Sequence, residues 1–365
     1  MHILFLHSDH APPRKVTKEL ASLKKLGHIV SFLGWCRLNI LPERKSDDFL
    51  YYSAIHLPCG YASWKIVPLL PIWLFLGLKH TSRMRPDVLH AADFEAALLA
   101  FIYSFISGKP FIYDILDTFY MRGKRPEFVR NLLKKIDGLI MKRARKIIVV
   151  DENRITEVEK PYLSKVSIIY NSPPDLGPFR SNGGPFTVLA TGNLYLDRGI
   201  MQIIAVCKRI EGTRLLLAGT IREDQIWEAI KHHPFIDYRG LLSYKDALNL
   251  YAEADLVYAY YDPSTPIYIN ASSNKIFDAM MASRPVLINS EIRIVRLVAD
   301  LDCGYTAPYG DIDEIERIIR TARDIPEISL AKALNGRMAY ENEYSWELME
   351  QRVKEVYSDL EAGVS

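Results

Sequence analysis

Residues 260–289 place polar side chains where a parallel α/β sheet would bind an anion. Apolar runs at 256–258 and 286–288 predict two strands, joined by a polar loop and a short amphipathic helix. The small and polar residues around the start of that helix include Asn270, Ser273, Asn274 and Lys275. Loops at the carboxyl ends of parallel strands form ligand crevices, and the free N–H groups of a helix start attract anions. The segment therefore predicts a phosphate site.

Asp278 lies one turn further into the same predicted helix. A carboxylate can accept hydrogen bonds from two hydroxyl groups, which suits a ribose. The alternative is a solvent-facing Asp near a helix N-terminus. Lys275 has the alternative of an exposed first-turn Lys, which the helix dipole disfavours. Together the two residues extend the prediction to a phosphate and ribose site.

The composition allows two domains with different surfaces. The chain has 365 residues, of which 49% are hydrophobic, so each half can build its own core. Residues 1–180 carry 27 Lys and Arg against 17 Asp and Glu, whereas residues 181–365 carry 19 against 27. The basic half could face an anionic surface or substrate, although solvated helix faces produce the same imbalance.

The cysteines and the apolar runs predict where the protein resides. The four cysteines are far apart and resemble reduced thiols of a cytosolic chain more than a zinc site or a disulfide framework: Cys36, Cys59, Cys207 and Cys303. Met1 leads straight into a strand-like run, so no secretory signal is expected. The longest apolar run, residues 66–78, contains two prolines and is too short to span a bilayer. It predicts a buried helix or, alternatively, a membrane-dipping segment.

Residues 121–146 combine helical periodicity with ten basic and only two acidic residues. A basic amphipathic helix can lie on an anionic membrane. It can equally be an outer helix whose basic face is solvated. No helix-turn-helix, zinc-finger or aromatic RNA-binding signature accompanies the charge, so nucleic-acid binding is not expected.

Alternating strands and helices are predicted along the whole chain. In the first half the strands are expected at residues 1–7, 28–33, 87–90, 110–116, 147–150 and 166–170, with helices at 17–26, 95–106 and 126–146. In the second half strands are expected at 187–190, 214–218 and 236–239 besides the two above, with helices at 200–210, 223–232, 243–252, 311–322 and 344–360. A proline-rich stretch, 171–182, reads as a linker. This order predicts two doubly wound parallel sheets facing each other across a cleft.

Several motifs, in this order and spacing, resemble one enzyme family. They include IIVVDENRI at 147–155, TGNLYLDRGI at 191–200, LLLAGT at 215–220, NKIFDAMMASRPVLIN at 274–289 and YSWELMEQRVKEVY at 344–357. The chain resembles the retaining glycosyltransferases of family 4, which have the GT-B fold of two Rossmann-like domains and use nucleotide-sugar donors. The resemblance implies an acceptor-side domain at 1–175, a donor domain at 183–343, and a last helix, 344–361, that packs back on the first domain.

The resemblance also implies roles for donor-side residues. Arg198 matches the family's diphosphate-binding cation, while Asn193 stands where a second cation is usual and Lys275 would compensate. Asp278 matches the second acid of the Glu-x7-Glu motif, which binds ribose, and Asn270 replaces the first acid. The implied donor-binding set is Gly192, Asn193, Asn270, Ser273, Asn274, Asp278, Gly219 and Leu241.

The match is looser on the acceptor side. The loop HSDHAPPRK, residues 7–15, replaces the family's paired glycines and offers Arg14 and Lys15. The family's His-Asp pair becomes Leu116-Asp117, so Asp117 is the third implied catalytic residue beside Arg198 and Lys275. Acidic residues in predicted loops are the remaining acceptor-side candidates: Asp93 and Asp114. Asp93 could instead cap the helix at 95–106.

The expected function is therefore a metal-independent retaining glycosyltransferase without a cofactor. Its donor would be a nucleotide-diphosphate sugar, with a UDP-sugar favoured over a GDP-sugar. Its acceptor would be a hydroxyl group of a glycan, a lipid-linked glycan precursor or a small molecule, reached in the cytoplasm or at the inner face of the membrane. The alternatives are a nucleotide-sugar 2-epimerase of the same fold and a non-catalytic sugar-nucleotide-binding protein.

Overall fold

The computed structural model describes residues 1–38, 51–59, 66–117, 119, 126–179, 183–231 and 233–361. Parts of the basic segment 121–146 and of the linker 171–182, and the predicted helix end at residue 232, lie outside the described residues. The chain divides into two compact units. Unit 1 comprises Met1–Asn171 and Met349–Ser365, and unit 2 comprises Ser172–Leu348.

Unit 1 contains a seven-stranded parallel sheet. Its strands are β1 (His2–His7), β2 (Ile29–Cys36), β3 (Tyr51–His56), β4 (Val88–Ala92), β5 (Phe111–Ile115), β6 (Lys146–Val149) and β7 (Val166–Ile168). They lie in the order β3-β2-β1-β4-β5-β6-β7. The helices are α1 (Arg14–Lys25), α2 (Ile66–Met84), α3 (Phe94–Ser107) and α4 (Glu127–Arg143), with 3-10 turns at Glu152–Glu157 and Lys160–Lys165. The central strands β4 and β5 are buried along their whole length, as expected for a parallel sheet covered on both faces.

Unit 2 contains a six-stranded parallel sheet. Its strands are β8 (Phe186–Leu194), β9 (Thr213–Ile221), β10 (Ile236–Tyr238), β11 (Leu256–Ala259), β12 (Val286–Asn289) and β13 (Gly304–Ala307), in the order β10-β9-β8-β11-β12-β13. The helices are α5 (Ile200–Arg209), α6 (Asp224–Lys231), α7 (Tyr244–Asn249), α8 (Pro266–Ile269), α9 (Asn274–Met281), α10 (Val295–Asp300), α11 (Ile312–Asp324) and α12 (Pro326–Ala339). A π-helical turn, Tyr340–Tyr344, precedes the last helix, α13 (Trp346–Glu361).

The structure corrects several predicted elements. Strands β3 and β13 and helix α12 are absent from the sequence prediction. Helix α12 exposes apolar residues such as Leu330 and Leu334 outside a regular buried stripe. Strand β8 runs on to Leu194, so Gly192 and Asn193 are strand residues and not loop residues. Helix α1 begins at Arg14, directly after Pro13. Proline is well suited to a helix start, where its missing N–H costs nothing.

Helix α2 is not a buried helix, which corrects the prediction for residues 66–78. It buries Trp73, Gly77 and Thr81, but Val67 and Phe75 remain 72% and 67% exposed. The sequence pattern could not show this, because α2 is apolar on its outer face as well as its inner face. Among the described residues, no helix has both the length and the apolar character to cross a bilayer.

Candidate functional site

The predicted phosphate site lies at the point where the strand order of unit 2 reverses. From β8 the chain continues to β9 and β10 on one side of the sheet, whereas β11, β12 and β13 lie on the other side. The loops after β8 and β11 therefore leave neighbouring strands in opposite directions. Such switch points are where open parallel sheets bind ligands. The β8 loop carries Arg198, and the β11 loop leads to Lys275.

Arg198 is fixed by a tight turn and by two aromatic rings. It ends the 3-10 turn Leu196–Arg198, and Gly199 follows with a left-handed φ of 66°. A Cβ at Gly199 would lie 2.5 Å from the Tyr258 hydroxyl, so only glycine fits there. The Arg198 guanidinium carbon lies 4.4 Å from the ring centroid of Tyr261 and 4.2 Å from that of Tyr268. Both distances are typical of cation–π contacts.

Lys275, the second residue of α9, shares the Tyr261 ring with Arg198. Its Nζ lies 5.6 Å from the ring centroid of Tyr261 and faces Gly192, where a Cβ would come within 3.8 Å of it. The Tyr261 hydroxyl donates to the Oγ of buried Ser273 at 2.7 Å. Burial alone would raise the pKa of Tyr261, but Lys275 and Arg198 outweigh burial and lower it. The structure thus gathers two cations on one buried ring.

Asp278 is only 6% exposed, so the alternative of a solvent-facing Asp is wrong. Its Oδ2 lies 3.4 Å from the Tyr251 hydroxyl. Burial, with the neighbouring Asp278 carboxylate, holds the pKa of Tyr251 well above its usual value, so this phenol stays protonated and faces Asp278 as a donor. Tyr251 was not predicted as a site residue, because it belongs to the 3-10 turn Leu250–Glu253, far from the motif in sequence.

The remaining donor-side candidates occupy different environments. Asn270 follows α8 and Asn274 begins α9, and both are half-buried. Asn193 is exposed near the end of β8, and Leu241 is 79% exposed after β10. Gly219 has a φ of 142°, and a Cβ there would lie 1.7 Å from the Gly192 carbonyl oxygen. The two strands could not come together at this level with any other residue at position 219.

The cations of the site have little acidic compensation. The carboxylate of Asp197 has its Oδ1 3.7 Å from Arg198 Nε, which is too long for a hydrogen bond. In the described part of the chain, no carboxylate forms an ion pair with Lys275. The arrangement therefore suits an anionic ligand that supplies the missing negative charge.

The acceptor-side candidates of unit 1 fall into separate places. Asp114 is not in a loop but inside β5, where it is fully buried, and this corrects its prediction as an acceptor contact. Its Oδ2 accepts a hydrogen bond from Lys15 Nζ at 2.8 Å, and Lys15 also donates to Glu19 at 2.7 Å. Lys15 is 1% exposed, so it cannot contact a substrate phosphate either. His90, with its Nε2 3.5 Å from Asp114, completes a buried cluster.

This buried cluster has the composition of a metal site but already contains a cation of its own, the Lys15 ammonium. Glu19, His90 and Asp114 each offer a ligand atom, and these atoms lie within 4.8 Å of one another. The Lys15 ammonium already binds both carboxylates. Although burial opposes it, the two carboxylates raise the pKa of Lys15, and Lys15 lowers the pKa of Asp114 despite the burial of that carboxyl. The cluster is a structural ion-pair network.

Asp93 follows β4, Asp117 follows β5, and the two residues are in contact. Asp93 has a left-handed φ of 68°, unusual outside glycine, and its Oδ1 accepts a hydrogen bond from the Asp117 N–H at 3.2 Å. Asp93 occupies the N-cap position of α3, as the alternative expected, but its side chain makes no capping hydrogen bond there. Asp117 also forms an ion pair with Arg154 at 3.0 Å. Arg14 is exposed at the start of α1.

Comparisons with known proteins bear on the fold. No protein-family model matches the sequence, and no curated protein matches it. Among solved structures, the chain is similar to sucrose-phosphate synthase from Thermosynechococcus elongatus, with a TM-score of 0.76, 14% identity and full coverage of both chains. It is similar to Anabaena HepE in complex with UDP and glucose, with a TM-score of 0.70 and 16% identity over 98% of this chain and 100% of that one.

A third similar structure is WaaG, a glycosyltransferase involved in lipopolysaccharide biosynthesis. Its TM-score is 0.66 at 14% identity, and the match covers 97% of this chain and 99% of WaaG. Identities this low show a shared fold. The predicted fold class, two parallel-sheet α/β domains of the GT-B type, is confirmed.

Proposed function

We propose that the protein is a metal-independent retaining glycosyltransferase of the family 4 type. It transfers a sugar from a nucleotide-diphosphate sugar, held by unit 2, to a hydroxyl group. The observation that carries the proposal is the pair of cations on the Tyr261 ring, Arg198 and Lys275, at the switch point of the unit 2 sheet.

The pair suits the departure of a nucleotide diphosphate. When the bond between the anomeric carbon and the diphosphate breaks, its electron pair goes to the phosphate oxygen, and negative charge grows there. Fixed cations that face this oxygen stabilise the transition state more than the ground state. Arg198 and Lys275 supply two such charges from rigid positions. In the retaining scheme the leaving phosphate accepts the proton of the attacking hydroxyl, so no histidine base is required.

The nucleoside half of the donor would lie against α9. Asp278, buried one turn inside that helix, would accept hydrogen bonds from the ribose hydroxyls, and Ser273 and Asn274 would offer N–H groups at the helix start. A uridine donor is favoured, because HepE, which has a similar fold, is solved with UDP and with UDP-glucose.

The acceptor would be a glycan or a lipid-linked glycan precursor at an anionic membrane. Helix α4 exposes apolar side chains, with Phe128 73%, Leu132 56% and Leu139 55% exposed, and carries basic residues along the same 17-residue helix. Apolar and basic side chains together suit a membrane surface. At low salt the protein should co-sediment with phosphatidylglycerol vesicles and less with phosphatidylcholine vesicles. Equal recovery with both kinds of vesicle would refute membrane contact.

The deciding experiment measures which nucleotide sugar protects the protein from thermal unfolding. UDP-glucose, UDP-galactose, GDP-mannose, UDP and GDP are compared at equal concentrations, because a ligand that binds only the folded state raises Tm. A rise with one nucleotide series supports the donor site, and absence of any rise refutes it. Turnover of the bound donor with a hydroxyl acceptor supports the transferase. Interconversion of the sugar without any acceptor supports the epimerase instead.

One observation favours a second candidate, a non-catalytic sugar-nucleotide-binding protein. Asn270 stands where the family has an acid, and Asn193 stands where it has a cation. An amide can bind sugar hydroxyls but cannot stabilise positive charge on the sugar. Tight donor binding with neither hydrolysis nor transfer on any acceptor would support this candidate.

A further inference from the structure

Asp197 occupies a position from which it could block the donor site. It precedes Arg198 in the same 3-10 turn, and its Oδ1 lies 3.7 Å from Arg198 Nε. Neither of these two atoms has a hydrogen-bond partner among the described residues. The two groups already form a long ion pair, and a movement of less than 1 Å would bring them within hydrogen-bond distance. An internal carboxylate on Arg198 would compete with a ligand phosphate for the same guanidinium.

Tyr268 contacts both Asp197 and Arg198. Its hydroxyl donates to Asp197 Oδ2 at 2.8 Å, and its ring lies 4.2 Å from the Arg198 guanidinium carbon. Burial and the neighbouring Asp197 raise the pKa of Tyr268 to about 12, so the phenol remains a donor throughout the neutral range. The backbone of Asp197 is held as well, because the Asp262 N–H donates to its carbonyl at 2.8 Å.

We propose that Tyr268 is a positioning residue that holds the Asp197 carboxylate beyond hydrogen-bond distance of Arg198, and thereby keeps the guanidinium available to a diphosphate. The proposal rests on the proposed function, since it assumes that Arg198 binds the donor diphosphate. Tyr268 performs two tasks at once. Its hydroxyl satisfies the carboxylate, and its ring stabilises the cation without offering a negative charge that a ligand would have to displace.

The test measures the affinity of pyrophosphate and of UDP for the full chain by calorimetry. Tyr268→Phe keeps the ring and removes the hydroxyl, so Asp197 is released to form a direct hydrogen bond with Arg198. The affinity for both ligands should fall about fivefold. This is the change in binding affinity that corresponds to the free energy of one neutral hydrogen bond. Pyrophosphate isolates the diphosphate contact, because it carries neither base nor ribose.

The second substitution separates this role from a merely structural one. In Tyr268→Phe/Asp197→Asn the competing charge is gone, so the affinity should return to at least the wild-type value. Asp197→Asn alone should bind pyrophosphate as tightly as the wild type or more tightly. A loss that persists in the double variant would overturn the proposal, and so would wild-type affinity of Tyr268→Phe.

Arg198→Ala distinguishes failure of this inference from failure of the proposed function. If Arg198→Ala weakens the binding of pyrophosphate and Tyr268→Phe does not, only the proposed role of Tyr268 is wrong. If Arg198→Ala binds both ligands as the wild type does, the diphosphate site itself is wrong, and the inference falls with it. If Tyr268→Phe does not fold, Asp197→Asn remains decisive, because weaker pyrophosphate binding by that variant contradicts a competing carboxylate.

Discussion

The two units treat positive charge in opposite ways. In unit 1 the Lys15 ammonium is 1% exposed and bonded to two carboxylates, Glu19 at 2.7 Å and Asp114 at 2.8 Å. In unit 2 Arg198 and Lys275 share the Tyr261 ring, and the carboxylate of Asp197 stays 3.7 Å from the guanidinium. In the first cluster the carboxylates of the protein neutralise the cation. The second cluster leaves positive charge that a ligand can neutralise.

The comparison shows how a structural charge cluster differs from a binding site. A buried cation must be paired, because an isolated charge in the protein interior costs several kcal/mol. Where the pairing comes from the protein itself, nothing remains to bind. Where aromatic rings replace carboxylates, the cation is held in place and keeps its attraction for an anion. Substitutions in the two clusters should therefore affect different properties of the protein.

The largest expected effect is on folding and comes from Lys15→Met. The substitution leaves two carboxylates buried without a cation and should lower the free energy of unfolding by about 3–5 kcal/mol. Urea denaturation followed by circular dichroism measures this. Arg14→Met, one residue away on the exposed side of α1, is the matched control and should change stability by less than about 0.5 kcal/mol. Equal stability of the two variants would show that the Lys15 cluster is not structural.

A second prediction concerns a buried carboxyl of unit 1 that pairs with no cation among the residues that the structure describes. Asp137 accepts a hydrogen bond from the Tyr113 hydroxyl at 2.7 Å, and burial raises its pKa from 3.8 to about 6. Because the folded-state pKa lies above the unfolded one, the protonated carboxyl favours folding. This contribution is complete below about pH 4 and is lost as pH rises through about 6, for a total of roughly 3 kcal/mol.

Asp137→Asn should remove this pH dependence, since an amide does not titrate and its oxygen can still accept from Tyr113. We expect the variant to be more stable than the wild type at pH 7 and to lose the advantage at pH 4. Urea denaturation at both pH values measures the difference. The same advantage at the two pH values would contradict an elevated pKa of Asp137.

In unit 2 the largest expected effect is on binding and not on folding. Arg198→Ala should weaken UDP binding about 10- to 100-fold, the value of one charge-assisted hydrogen bond, while the unliganded Tm changes little. Calorimetry and thermal unfolding measure the two properties separately. Arg222→Ala is the control. The Arg222 guanidinium carbon lies 5.2 Å from the ring centroid of Tyr195, so this variant loses a cation–π contact elsewhere in the unit. Similar loss of UDP affinity in both variants would contradict a specific role for Arg198.

Lys275→Met should have the smallest effect of the four. Its ammonium lies farther from the Tyr261 ring than the Arg198 guanidinium does, and Lys binds phosphate as a point charge without a bidentate fork. We expect UDP affinity to fall about fivefold. The salt dependence of binding should also weaken, because one charge that attracts the anionic ligand is lost. A loss as large as that of Arg198→Ala would show that the two cations contribute equally.

Much of the architecture could be predicted, because parallel sheets covered on both faces leave apolar runs that alternate with amphipathic helices. The position of Lys275 and Asp278 at the start of a helix after a strand also followed from local sequence. The exposure of apolar side chains on the outer faces of α2 and α12 could not be predicted, because an exposed apolar residue looks the same in a sequence as a buried one.

The side-chain contacts that define the two clusters could not be predicted from the sequence. Tyr261 and Tyr268 are ordinary aromatic residues until the fold brings Arg198 against them from another loop. Asp114 was predicted to face an acceptor because it was expected to lie in a loop. Its actual partner, Lys15, comes from a helix 99 residues earlier. Pairings across such distances depend on strand order, which local spacing does not reveal.

Unit 1 is built from two stretches that are separated by unit 2, and this has a consequence for synthesis on the ribosome. Unit 2 is continuous from Ser172 to Leu348 and can complete its contacts as soon as that stretch has emerged. Unit 1 must wait for residues 349–365, whose Tyr357 hydroxyl lies 2.7 Å from His90 Nδ1 beside the Lys15 cluster. Unit 1 is therefore begun before unit 2 but completed after it, and its buried charges are enclosed only once Tyr357 has emerged.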